Sequence, residues 1–269
     1  MMKIKNSSED HGHEFEKLLE ITKALRERCP WDKKQTMKSL KPYIIEEAYE
    51  AVEAIDEEDP EKIKEELGDV LFQVVLQSQI AGEKNLFDIG GVLEAISKKM
   101  VSRHPHVFEA DTEIKTAEDV VEKWQEHKKR EGKLKLSILE GIPAGMPALM
   151  RAEKVQKRAG REGFDWERAE DVLEKLDEEI KEFKEAVKKE NRDEMEEEIG
   201  DILFSVANVA RFLKVRPEEA LRKTTEKFIS RFGYMENKAK ERGIEFRQLT
   251  LKGMDALWDE AKRKEKDRA

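Results

Sequence analysis

Apolar residues along this chain recur at helical spacing, and they do so in two matching pairs of stripes. Ile44, Ile45, Ala48, Val52 and Ile55 form one stripe, and Leu67, Val70, Leu71, Val74 and Val75 form the next. Repeats of three and four residues mark the apolar face of an amphipathic helix. Leu176, Ile180, Phe183 and Val187, followed by Ile199, Ile202, Leu203, Val206 and Val209, repeat the arrangement further along. Between the first two stripes, Asp59-Pro60 places an N-cap ahead of a proline at the first helical position, and Asn191 is the matching cap in the second pair. Strand-like alternation is not sustained anywhere. The pattern predicts an all-α chain of two helical hairpins. One hairpin cannot bury two apolar stripes alone, so each should gain further helices and a partner subunit to complete a four-helix-type bundle.

The polar positions repeat as closely as the apolar ones. Glu46-Glu47-x-x-Glu50 is followed by Glu65-Glu66-Leu67-Gly68-Asp69, and Glu178-Glu179-x-x-Glu182 by Glu197-Glu198-Ile199-Gly200-Asp201. On a helix, residues three apart share a face, so Glu47 projects with Glu50 and Glu66 with Asp69. In an antiparallel hairpin, residues at one level share a midpoint. Glu50 with Glu66 and Glu47 with Asp69 both centre on residue 58; Glu182 with Glu198 and Glu179 with Asp201 both centre on residue 190. The four acids of each copy therefore lie at one level, roughly 12 Å from the turn at about 1.5 Å per residue. Anionic groups so placed repel unless a cation sits among them or some are protonated.

All these donors are carboxylates, and neither hairpin contains a histidine. Oxygen-only ligation favours Mg²⁺, with Mn²⁺ as a substitute, over zinc. Lys99-x-x-x-Arg103 follows the first hairpin and Lys227-x-x-x-Arg231 the second, two cations on one helical face each time. Mg²⁺ held by carboxylates commonly also holds substrate phosphates, and the paired cations would clamp phosphate charge. Together these features point to metal-assisted attack of water on phosphorus. Gly68 and Gly200 sit mid-helix at matching places, either for close helix packing or for room beside the acids.

The bulk numbers bound the setting. The 269 residues and the internal repeat give two domains: 1–132, a linker over 133–148 marked by Gly141, Pro143, Gly145 and Pro147, and 149–269. Some 42% of residues are charged and 38% hydrophobic, a balance that resembles thermophile proteins. The net charge of −9 argues against nucleic acid as a general partner. The single Cys29, an N-terminus without an apolar run and the lack of any segment of 18 apolar residues lead to the expectation of a soluble, cytoplasmic protein with no membrane partner. His11 and His13 fall in a polar tail, His127 among lysines, and His104-Pro105-His106 reads as a turn. The charged run from Lys262 reads as a solvated helix end.

The collected signatures resemble the MazG family of nucleoside triphosphate pyrophosphohydrolases in its full-length, two-domain form. They include Cys29-Pro30-Trp31-Asp32, the run from Glu65 to Val74, Arg103 to Phe108, Pro147 to Ala152 and Gly163 to Trp166. The resemblance implies an all-α fold, Mg²⁺ dependence, a homodimer, and conversion of NTP and water to NMP and pyrophosphate. By it the metal ligands are Glu179, Glu182, Glu198 and Asp201, with a second set at Glu47, Glu50, Glu66 and Asp69. Lys175, Glu178, Glu197, Asp201, Lys227, Arg231, Trp258 and Lys262 match nucleotide-contacting positions. Trp258 either stacks on the base or is a core aromatic. The two copies differ at one position: Lys175 stands three residues ahead of the second acidic pair, and Tyr43 ahead of the first. In related two-domain proteins the C-terminal copy is the better-supported active site, so the resemblance places the main site in the second domain, with broad base tolerance, and leaves the first active, weak or structural. A narrow dUTPase- or dCTPase-like enzyme and a helical module that senses nucleotide or metal without turnover are the alternatives.

Overall fold

The computed structural model describes residues 8–108, 116 and 137–266. His127 and residues 130–136 lie outside them. The described residues contain helices and turns and no strand. The chain divides into two compact units, Met1–Lys133 and Leu134–Ala269.

The first unit is built around the predicted hairpin. Helices α2 (Lys41–Glu57) and α3 (Pro60–Glu83) pack along one another, and α1 (Ser8–Arg28) and α4 (Ile89–Arg103) both pack on α3. A short helix, α5 (Pro105–Phe108), follows. The Asp59 carboxylate accepts from the amides of Glu61 and Lys62, and Pro60 holds the first helical position. Glu58 takes the left-handed conformation that ends α2, at φ 57°. It falls at the residue that the carboxylate register requires as the hairpin's midpoint. His11 and His13 belong to α1 and extend it, not to a loose tail. Phe15, Leu18, Thr22 and Leu25 share the side of α1 that is at least half-buried, and the helix runs on past it through both histidines.

The core of this unit is Leu40, Leu76 and Ile80, with Met37 and Phe72 packed against it. Burying each such side chain contributes about 1.5–3 kcal/mol. Arg26 fastens α1: its guanidinium donates to the carbonyls of Asp32 and Gln35 and to both oxygens of Glu83 at the end of α3.

The second unit repeats the plan. Helices α7 (Ala169–Lys188) and α8 (Arg192–Phe212) form the hairpin, and α6 (Ala148–Arg161) packs on α8. Asn191 caps α8 by accepting from Asp193 and Glu194, and Glu190 is left-handed at φ 55°, again at the expected midpoint. Helix α9 (Pro217–Glu241) packs on α6, α8 and α10 (Leu251–Lys266). Gln156 of α6 donates to the Phe204 carbonyl at 2.8 Å. Arg211 of α8 pairs with Asp165 in the turn after α6. That turn presses close to its helix: a Cβ at Gly160 would lie 2.7 Å from an Asp165 carboxylate oxygen, so any side chain there would push that carboxylate aside.

The burial differs from the predicted stripes. Within one chain the hairpins close on small residues: Ala51 and Ala54 are buried in α2, Ala186 in α7 and Ala207 in α8. Ile45, Val52, Ile55, Leu67 and Leu71 remain exposed in the first unit, as do Val187, Ile199, Leu203 and Val206 in the second. Alanine lets two helices approach closely. The large aliphatics then lie on faces that the helices of one chain do not cover.

Candidate functional site

Each hairpin brings its acids together. One oxygen from each of Glu47, Glu66 and Asp69 lies within 4.8 Å of the others, and Glu179, Glu198 and Asp201 do the same. Oxygens ligating one hard cation at roughly 2.0–2.6 Å lie no more than about 5 Å apart, so both triads have a cation's dimensions. Glu50 and Glu182 stand outside the triads but close enough to act on them. Burial raises the Glu47 carboxyl above its ordinary range, and the charges of Asp69 and Glu50 add to this. Burial likewise raises Glu66, helped by Glu50, Asp69 and Glu65. In the second unit burial raises Glu198, and Glu182, Glu179, Asp201 and Glu197 push the same way.

One atom ties this electrostatic crowding to a ligand. Glu198 Oε2 is buried and has no hydrogen-bond partner. A buried carboxylate oxygen left unpaired is costly, and a cation held among Glu179, Glu198 and Asp201 would pair it. The donor set, all oxygens, suits Mg²⁺ or Mn²⁺.

The two triads are completed differently. Lys175 Nζ reaches Glu179 at 2.8 Å and Glu178 at 3.2 Å. Its ammonium pKa is raised, chiefly by the hydrogen bond to Glu179. In the first unit a neutral amide takes that part, with Gln73 Nε2 donating to Glu47 at 3.4 Å. Tyr43 packs edge-on against Trp31, ring centroids 5.7 Å apart.

The candidate phosphate clamp forms on another pair of helices, α9 and α10. Arg231 Nε donates to the Glu265 oxygens at 3.2 and 3.0 Å, and Nη2 at 2.8 Å. The Arg231 guanidinium lies 5.3 Å over the Trp258 ring, which also meets Phe228 at 5.2 Å. The hydrogen bond from Arg231 holds the Glu265 carboxyl below its ordinary range, and the charges of Arg231 and Lys227 add to this. Lys262 pairs with Asp259 at 3.2 Å. The run from Lys262 is thus not wholly solvated, because Glu265 has a built partner. Its position in a charged tail carried no signal of that role. The partnership between Gln73 and Glu47 was equally unannounced, although both lie in the run of motifs.

Gly68 and Gly200 resolve one open reading. Nothing lies within 4 Å of where a Cβ would stand at either, so within the chain they mark open space beside the acids and not close helix packing. Lys99 and Arg103 lie on α4, which packs on α3. His104 Nδ1 is bound to the Met100 carbonyl at 2.7 Å, which fits a turn. Cys29 is half-buried where α1 ends.

A helical protein carrying two carboxylate-lined hairpins, each sized for a hard cation, is the class these observations define. The MazG nucleotide pyrophosphohydrolase domain matches residues 35–108 and 167–234, one region in each unit. The chain is 47% identical over 251 residues to the nucleoside triphosphate pyrophosphohydrolase/pyrophosphatase MazG of Thermotoga maritima, covering 92% of this chain and 95% of that one. It is 42% identical over 262 residues to the nucleoside triphosphate pyrophosphohydrolase of Escherichia coli K12, covering 95% and 99%. A crystal structure of a mazG-related protein from Thermotoga maritima, 29% identical, covers 42% of this chain and 98% of its own, with a TM-score of 0.38. The chain belongs to the MazG family.

Proposed function

We propose that this chain is an enzyme that hydrolyses nucleoside triphosphates to nucleoside monophosphate and pyrophosphate, with broad base tolerance. Its main site is in the second domain, residues 149–269, joined through 133–148 to a first domain of residues 1–132. Glu179, Glu182, Glu198 and Asp201 hold Mg²⁺, for which Mn²⁺ substitutes, and Glu47, Glu50, Glu66 and Asp69 form a second metal set. The observation that carries this reading is the Glu179, Glu198 and Asp201 triad with its unpaired buried oxygen.

The bound cation supplies positive charge to the phosphate oxygens. Among Glu178, Glu179, Glu182, Glu197, Glu198 and Asp201, a carboxylate free of the cation holds the attacking water and takes its proton. The water oxygen bonds to the α-phosphorus, and the bond from that phosphorus to the bridging oxygen breaks. Lys175 meets phosphate charge from beside the acids. Lys227 and Arg231 stabilise the charge that grows on the leaving pyrophosphate, as preorganised cations do. For Arg231 to act so, it exchanges Glu265 for phosphate. Trp258 and Lys262 lie on the helix that faces this clamp and contact the nucleotide.

The exposed aliphatic residues on both hairpins, among them Ile45, Val52, Ile55, Ile199, Leu203 and Val206, support a homodimer, because apolar side chains gathered on one face mark an association surface. No described helix is long and apolar enough to cross a membrane. A cytoplasmic enzyme without membrane or nucleic-acid partners is the setting we infer. Product analysis with Mg²⁺ and a panel of nucleoside triphosphates tests the reaction. Equal amounts of monophosphate and pyrophosphate from most bases are expected. Orthophosphate without pyrophosphate would overturn it, and turnover of a single base would replace broad tolerance with a narrow enzyme.

A further inference from the structure

The two acidic triads share a geometry and differ in charge, and the difference sits at one helical position. Four residues ahead of the first metal ligand stands Lys175 in the second unit and Tyr43 in the first. Lys175 places its ammonium 2.8 Å from Glu179, one of the three triad residues and 94% buried by its relative exposure of 6%. It also holds Glu178 at 3.2 Å. Tyr43 turns its ring to Trp31, and Glu47 is met by the neutral amide of Gln73 and by Glu50, with no ammonium of the described residues bonded to it.

We propose that Lys175 competes with the metal for Glu179, so that the second site takes its cation well only together with an anionic ligand, whereas the first site takes a bare cation. This rests on reading the triads as metal sites. A dication and an ammonium on one carboxylate repel each other. Lys175 relieves that repulsion only by swinging away on its flexible stem, and a phosphate gives it somewhere to go. Metal and triphosphate then favour one another at the second site, and such coupling is reciprocal. Neither Tyr43 nor Gln73 carries a charge, so the first site lacks the device. The arrangement keeps Glu178 and Glu179 paired until metal and substrate arrive together.

Binding of Mn²⁺, followed by the loss of its free-ion resonance, tests this. Asp69→Asn isolates the second site and Asp201→Asn the first. The second site should bind bare Mn²⁺ more weakly than the first. Lys175→Met should tighten bare Mn²⁺ at the second site about three- to tenfold, from removal of one unit charge at a half-exposed position. Lys175→Arg keeps the charge and should stay near the parent affinity. The same Lys175→Met change should weaken binding of Mn²⁺-loaded ATP carrying a methylene bridge between the α- and β-phosphates. A purely structural lysine would not shift the two affinities in opposite directions. Unchanged or weaker bare Mn²⁺ binding in Lys175→Met overturns the inference while leaving the metal sites standing. No Mn²⁺ binding at either site overturns both.

Discussion

Gly200 occupies the middle of α8, where glycine costs about 1 kcal/mol relative to alanine, and nothing lies within 4 Å of the Cβ it lacks. A residue that weakens its helix without easing any contact in the chain leaves space for something else. Gly200→Ala should therefore raise folding stability by about 0.5–1 kcal/mol while lowering kcat/KM for nucleoside triphosphates. Thermal unfolding and steady-state kinetics on one sample check both halves. A fall in stability would instead place a second surface against Gly200, and unchanged turnover would remove it from the site. At this scale the sequence was most legible where spacing carried geometry, as with Glu179, Glu198 and Asp201. It was least legible where a partner came from a distant helix. Nothing near Glu265 in the chain foretells Arg231, because a salt bridge 34 residues long leaves no periodic trace.

The hairpin is the element that makes the site. Left-handed Glu58 and Glu190, each followed by a side-chain cap, fix the turn at the residue that sets the acids level. Caps and register were both readable, since each depends on residues adjacent in sequence. Which face of each helix would be buried was not readable. An aliphatic stripe says that a face is covered, not by what, and the hairpins close on Ala51, Ala54, Ala186 and Ala207 instead. The turn after α6 is tied to α8 by the ion pair of Asp165 with Arg211, in which the arginine's side chain is 10% exposed, beside the bond from Gln156 to the Phe204 carbonyl. The hydrogen bond from Arg211 holds the Asp165 carboxyl below its ordinary range. A carboxyl depressed in the folded state contributes stability above its unfolded pKa and loses it as pH falls through the folded value. Wild type should thus lose part of its stability below about pH 4. Asp165→Asn should be less stable by about 1–2 kcal/mol at pH 7 and show a smaller further loss down to pH 3. Denaturant unfolding at both pH values measures this. Parallel losses in the two proteins would contradict it.

At the scale of the molecule, one architecture appears twice, and among the described residues the acid-bound Lys175 of the second copy is matched by Tyr43 in the first. The repeat was legible from the outset, because duplication preserved both the acids and the interval between them. The proposed division of labour between the copies rests on the charge beside the triads, where Lys175 and Tyr43 were legible as a difference, and on contacts between α9 and α10, which no local pattern encodes. The exposed aliphatic faces are a property of the single chain, and they are what supports the proposed homodimer. The most direct test of the account measures pyrophosphate and monophosphate released from ATP with Mg²⁺ by wild type, Asp69→Asn and Asp201→Asn. The account predicts stoichiometric pyrophosphate and AMP from wild type, retained in Asp69→Asn and lost by at least about a hundredfold in Asp201→Asn, the scale of removing one transition-state electrostatic partner. Pyrophosphate that survives Asp201→Asn and vanishes in Asp69→Asn would contradict it and move the chemistry to the first hairpin.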